Sequence, residues 1–216
     1  FGKLPITIKG TDNPNPIIYN ETKGSAQVKS SVMLAALNTK GETIIKSKKS
    51  RNHSELLFKH LKLPIKVLKK KNYDLIKIKG KKKIPALNYK IPSDISSCAF
   101  FIVLTILSKN SKLTIRNVNI NPSRIGILQI LGMMGAKIQK TNLKNYKGEK
   151  IADLIIKSTK RIKAINCPSK LNSSAIDEFL LIFLVAAKAK GTSYFKNLSE
   201  LNEKESPRLK WGSRIL

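Results

Sequence analysis

TILSKNSKLTIRNVNINPSR, residues 105–124, leaves the end of an apolar helix, turns through polar residues into a short strand, then crosses a polar loop to an arginine that opens a second helix. AALNTKGETIIKSKKSR (35–51) and VAAKAKGTSYFKNLSELNEKESPR (185–208) take the same course. The second helices are RNHSELLFKHLK, RIGILQILGMMG and RLKWGSRIL. After them, IKVLKKKNYDLIKIKG and AKIQKTNLKNYKGEKIADLIIKS each have the pattern of a two-strand hairpin. The repeat therefore reads helix, strand, helix, strand, strand, recurring at about 70 and 80 residues. That period is too long for a solenoid and suits a small α/β subdomain.

The third copy stops inside its second helix, and LPITIKG (4–10) resembles the closing strand YDLIKIKG (73–80), so the chain reads as cut at both ends. KKKIPALNYKIPSD, with two prolines and no helical period, marks a domain crossover near residues 81–93.

With 216 residues, 41% hydrophobic and 6% aromatic, the chain can bury a core as one or two domains. The formal charge of +29 would suit a nucleic-acid binder. Its cations, however, are overwhelmingly lysines spread along the chain, without interleaved aromatics for stacking bases. The runs Lys69–Lys71 and Lys81–Lys83 read as solvated turns. Cys98 and Cys167 lie far apart, which indicates neither a metal quartet nor a disulfide framework and fits a reducing compartment. CAFFIVLTIL and FLLIFLVAA are about half the ~20 residues needed to span a bilayer and read as buried helices.

The helix starts carry the polar chemistry. In GSAQVKSSVMLAAL, Ser25 suits an N-cap, with Val28, Ser31, Val32, Ala35 and Ala36 facing inward. Its first turn also collects a hydroxyl, a carboxamide and an ammonium at Ser25, Gln27 and Lys29, groups that bind anions at a helix N-terminus. The third start, NSSAIDEFLL, places Asp177 and Glu178 in the first turn, where the helix dipole favours carboxylates. ELNEKESPRL crowds Glu200, Glu203, Lys204, Glu205 and Arg208, with Ser206 as cap and Pro207 at the first helical position.

GSAQVKS, SRNHSE, PSDISSCAFF, NPSRIGILQILGMMGAKI, IDEFLLIFLVAAKAKGTS and EKESPRL, in this order and spacing, resemble the 5-enolpyruvylshikimate-3-phosphate synthase family. The resemblance covers essentially the whole chain but only about the middle half of a family sequence. It implies an α/β (α+β) fold of repeated βαβαββ units in two domains, with a cleft between them. Residues 1–88 would complete the first domain, and residues 89–216 would form the first part of the second.

The resemblance also implies roles. Ser25, Ala26, Gln27, Arg51, Asp177 and Lys204 would hold shikimate 3-phosphate, and Gln27 and Arg208 phosphoenolpyruvate. Asp177 would handle the proton of the 5-hydroxyl, and Glu205 would move a proton to and from the pyruvyl methylene. The family often has Ser where Ala26 stands, leaving that contact to the backbone, Gly where Ser93 stands and Asp where Pro207 stands. Its remaining cationic loops fall outside these residues, so the chain alone is expected to be inactive. The reaction needs no metal or organic cofactor, and the resemblance implies a cytoplasmic enzyme, monomeric at full length, without nucleic-acid or membrane partners. The alternatives are the UDP-N-acetylglucosamine enolpyruvyl transferase of the same fold, against which the SAQ and Lys-Glu-x-x-Arg patterns speak, a basic RNA-binding module, and a catalytically silent structural domain.

Overall fold

The computed structural model describes residues 4–80, 83–203 and 206–215. The chain forms two compact units, Phe1–Leu87 and Asn88–Leu216.

Unit 1 runs β1 (Ile18–Glu21), α1 (Ala26–Ala36), β2 (Glu42–Lys48), α2 (His53–His60), β3 (Ile65–Lys69) and β4 (Tyr73–Lys79). Its sheet has the order β1-β2-β4-β3, parallel only between β1 and β2. Unit 2 runs α3 (Ile95–Leu107), β5 (Lys112–Asn119), α4 (Gly126–Met133), β6 (Ile138–Tyr146), β7 (Glu149–Lys157), α5 (Phe179–Ala186) and α6 (Arg208–Ile215). The order β5-β7-β6 repeats β2-β4-β3, with the last strand of each copy inserted between the other two. That shared topology bears out the repeated helix, strand, helix, hairpin unit.

Each sheet buries one face under its helices. In unit 1, Met33, Ala36 and Phe58 from the helices meet Ile45, Ile76 and Ile78 from the strands. In unit 2, Ile102 and Ile106 of α3, Ile127 and Leu131 of α4 and Phe179 and Ile182 of α5 share one core with Val118, Leu154 and Ile156. At about 25 cal/mol per Å² of apolar surface, burial of these side chains is the main favourable term holding each unit together.

The structure corrects several expectations. Residues 4–10 form no strand: Leu4, Ile6 and Ile8 are 70–85% exposed, and their backbone has no neighbouring strand to pair with. The first strand of unit 1 is instead β1, which the sequence reading missed. TSYF forms no strand either: it is tied by an isolated bridge of Tyr194 to Asn166 and by Ser193 Oγ accepting from the Ile165 N–H. The apolar runs are buried on one face only, since Phe100, Phe101 and Leu104 of α3 are each more than 60% exposed. No helix among the described residues is long and apolar enough to cross a membrane.

In α1 the inward face is Lys29, Met33 and Ala36, while Val28, Ser31 and Ala35 are exposed. Small and apolar residues surround this helix, so periodicity alone does not choose a face. A buried ion pair at Lys29 does.

Candidate functional site

In unit 1 the start of α1 is built around Glu21. This buried carboxylate accepts hydrogen bonds from the backbone N–H groups of Lys23, Gly24 and Ser25 at 2.8–3.0 Å. Gly24 adopts φ +80°, a conformation that favours glycine, so the chain can curl around the carboxylate. Ser25 is the N-cap, its Oγ accepting from the Val28 N–H at 3.3 Å, as its sequence position predicts. The protein's own groups thus occupy most of the donors here, leaving the N–H groups of Ala26 and Gln27 at the mouth of the helix. The Gln27 side chain is exposed beside them.

Lys29 is not an anion ligand. Its Nζ is 2.7 Å from Glu55 Oε1 and donates to Ser50 Oγ at 3.0 Å and to the Arg51 carbonyl at 2.7 Å, in a side chain 2% exposed. Two of its protons go to the Ser50 and Arg51 oxygens and its charge faces the buried Glu55 carboxylate, so the protein itself surrounds the ammonium. Together with the Ser30–Ser54 hydroxyl pair at 2.6 Å, these bonds fix the loop carrying Arg51 beside the start of α1. Ser25, Ala26 and Gln27 thus share the start of α1, and the backbone of Arg51 is tied to the same helix through Lys29. Lys29, Glu55 and Glu21 position them, and of those three only Lys29 drew attention in the sequence, in a different role.

In unit 2 the starts of α3, α4 and α5 converge. Asp94 caps α3, accepting from the Ser97 N–H at 2.9 Å. Arg124, just before α4, bridges Asp94 Oδ1 at 3.0 Å and Ser96 Oγ at 2.5 Å. Ser96 in turn donates to the carboxylate of Glu178, which is 2% exposed. Gly126 allows α4 to begin against the Ser174–Ala175 backbone, because a Cβ there would lie 2.8 Å from that of Ala175.

Asp177 and Glu178 do not sit in the first turn of a helix. The helix starts later, at Phe179, with Glu178 in the cap position and Asp177 before it. Asp177 instead forms an ion pair with Arg208, 3.1 Å from Oδ1 to a guanidinium nitrogen, both side chains about one quarter exposed. Arg208 opens α6 as expected, but the Leu209 N–H is capped by Asn202 Oδ1 at 3.1 Å rather than by Ser206, and Pro207 precedes the helix. Lys204 and Glu205 lie outside the described residues. Ser93, at a position where the sequence departs from the family pattern, is stitched to β5 through its N–H on Asn117 and its hydroxyl on the Arg116 carbonyl.

Burial works to raise the Asp94 carboxyl, but the bonds from Ser97 and the Arg124 guanidinium outweigh it and hold the group below the usual carboxylate range. A carboxyl lowered on folding stabilises the fold above its unfolded value, and the benefit is lost as pH falls through the folded one. Unit 2 of Asp94→Asn is therefore expected to show a flatter loss of thermal midpoint below about pH 4 than the parent. Parallel acid limbs in melts from pH 5 to 2 would refute the assignment. Cys98 and Cys167 are free and buried, and burial pushes both thiols up, which makes them inert.

Paired copies of a helix–strand–helix–hairpin unit give a fold also found in solved enolpyruvyl transferases. One such transferase, NikO from Streptomyces tendae, shares this fold at a TM-score of 0.57 and 11% identity, covering 82% of this chain and 42% of its own. The EPSP synthase (3-phosphoshikimate 1-carboxyvinyltransferase) family model matches residues 1–213, and the chain belongs to that family. It is 40% identical over 214 residues to the 3-phosphoshikimate 1-carboxyvinyltransferase of Petrotoga mobilis, covering 98% of this chain and 48% of that protein. It is 43% identical over 209 residues to that of Ruthia magnifica, covering 96% and 47%. The EPSP synthase of Acinetobacter baumannii superposes with a TM-score of 0.84 at 34% identity, covering all of this chain and 47% of its own. The chain spans about half the length of the curated relatives it matches.

Proposed function

We propose that this chain supplies the middle of an enzyme that transfers the enolpyruvyl group of phosphoenolpyruvate to the 5-hydroxyl of shikimate 3-phosphate and releases phosphate. Residues 1–88 belong to its first domain and residues 89–216 to its second. The ion pair of Asp177 with Arg208 supports this reading most directly, because it sets a carboxylate beside a guanidinium from 31 positions away in a chain of this family.

Asp177 takes the proton of the 5-hydroxyl as its oxygen bonds to the central carbon of phosphoenolpyruvate. Glu205 delivers a proton to the methylene, giving a tetrahedral adduct. Loss of a methyl proton to Glu205, with departure of phosphate, restores the double bond, so one hydroxyl hydrogen and one phosphate leave for each enolpyruvyl transferred. Arg208 binds the carboxylate of phosphoenolpyruvate as a fork. The N–H groups of Ala26 and Gln27, with the Ser25 hydroxyl, the Gln27 amide, Arg51 and Lys204, hold the shikimate phosphate and ring. The reaction belongs in a reducing cytoplasm, where the two buried thiols stay free.

The test is phosphate release from the two substrates. The coding sequence extended to family length is expected to turn over with shikimate 3-phosphate and not with UDP-N-acetylglucosamine, while the 216-residue chain is silent. A family-length protein that accepts only the nucleotide sugar overturns the substrate assignment. Turnover near ~10 s⁻¹ by the 216 residues alone overturns the need for further loops.

A further inference from the structure

We infer that unit 2 carries a second anion site, distinct from the helix-start cluster, that takes a small anion bearing two or more phosphate groups. A cleft of about 650 Å³ opens where β5 begins, α4 ends and β7 runs into its following turn. Lys112, Lys137, Lys157, Lys160 and Arg161 line it. Five cations among nine lining residues compare with 42 among 216 in the chain, and no carboxylate lines the cleft. The lysine-rich composition alone does not account for that concentration.

The cleft lies at the C-terminal end of α3, since the Thr159 N–H donates to the Ile106 carbonyl at 3.0 Å. Asp94 and Ser96 lie at the other end of that 13-residue helix, about 20 Å away at 1.5 Å per residue. Cations often gather at helix C-termini to complement the dipole and bind the last carbonyls. Here backbone N–H groups already take several of those carbonyls: Ser108 bonds to Leu104, Ala136 to Leu131 and Lys163 to Met134. Among the described residues, none of the five side chains forms an ion pair.

The five side chains are exposed, and the summed potential of like charges around one concavity draws multivalent anions. The volume suits a small ligand. Its walls are fixed by the backbone pair Ser158 N–H to Ser111 carbonyl, 2.9 Å, and by Ser158 Oγ accepting from the Ser111 N–H, 3.3 Å. A diphosphate or triphosphate chain can engage several of the cations at once, with Arg161 forking onto one phosphate. A monophosphate spans fewer of them.

Calorimetric titration of the 216-residue chain at about 0.15 M salt tests this, with inorganic tripolyphosphate, pyrophosphate and orthophosphate as probes. Tripolyphosphate is expected to bind at one site, at least about tenfold more tightly than orthophosphate, and Lys137→Ala/Arg161→Ala to weaken it by about tenfold or more. Lys69→Ala/Lys71→Ala, which removes the same charge from unit 1, is expected to leave it unchanged, with circular dichroism confirming that both variants fold. Equal weakening by the two double variants, binding without saturation, or equal affinity for orthophosphate overturns the proposal. So does displacement of tripolyphosphate by single-stranded RNA with affinity rising as the oligonucleotide lengthens, which would mark an extended nucleic-acid surface.

Discussion

Asp177→Asn, in the chain extended to family length, is expected to lower kcat by about 10²-fold or more while moving the thermal midpoint little. Asp177 lies ahead of α5, its side chain about one quarter exposed, and contributes nothing to the apolar core. Its folded-state partner is Arg208, and a partly exposed ion pair of this kind contributes only about 0–1 kcal/mol. Asn keeps the shape and can still accept a hydrogen bond from the guanidinium, but it cannot take a proton from a hydroxyl. The loss should therefore fall on kcat, with the KM for phosphoenolpyruvate changing far less. Arg208→Gln should show the reverse emphasis, raising that KM, since it removes the fork proposed to grip the carboxylate. Steady-state kinetics and a melting curve on both variants separate the roles. Near-normal turnover with a lowered midpoint in Asp177→Asn would leave it as an ion-pair partner only.

The largest stability effect is expected at Lys29. Lys29→Met should destabilise unit 1 by about 3–5 kcal/mol, because it strands the Glu55 carboxylate, which is 4% exposed, without its cation. The ammonium also ties Ser50 and the Arg51 carbonyl, so the same change frees the loop that carries Arg51. Lys29→Met/Glu55→Leu should recover much of the loss, since an apolar pair of similar volume carries no desolvation cost. Urea unfolding of the parent, both single variants and the double variant gives the coupling energy. A Lys29→Met cost below about 1 kcal/mol, the value of an exposed pair, would show that the pair is solvated rather than buried.

The repeat was legible because its signals are local. Apolar residues three and four apart mark the helices, alternation marks the hairpins, and Ser25 and Asp94 sit where a side-chain oxygen reaches an N–H three residues on. The inserted order β5-β7-β6 and its counterpart in unit 1 follow from pairing the hairpin back onto the preceding strand. Where a strand needed a distant partner, pattern was insufficient: residues 4–10 alternate well and pair with nothing, whereas β1, only four residues long, is a strand because β2 lies beside it.

The residue types of the candidate site were visible as well, in the polar helix starts and in the resemblance they carry. Their partners were not. Lys29 had the same sequence credentials as Gln27 for binding an anion, and it is buried because Glu55, 26 positions later, folds against it. Asp177 reads in the sequence as a first-turn carboxylate, and it stands before the helix, paired with Arg208. Asn202 rather than its neighbour Ser206 caps α6. Short-range sterics and hydrogen bonds determine which segments are helix or hairpin, and those are written in consecutive residues. Which charge is buried and which is left for a ligand depends on opposite charges and hydroxyls brought from elsewhere in the chain, because only a partner at hydrogen-bond distance offsets the loss of water.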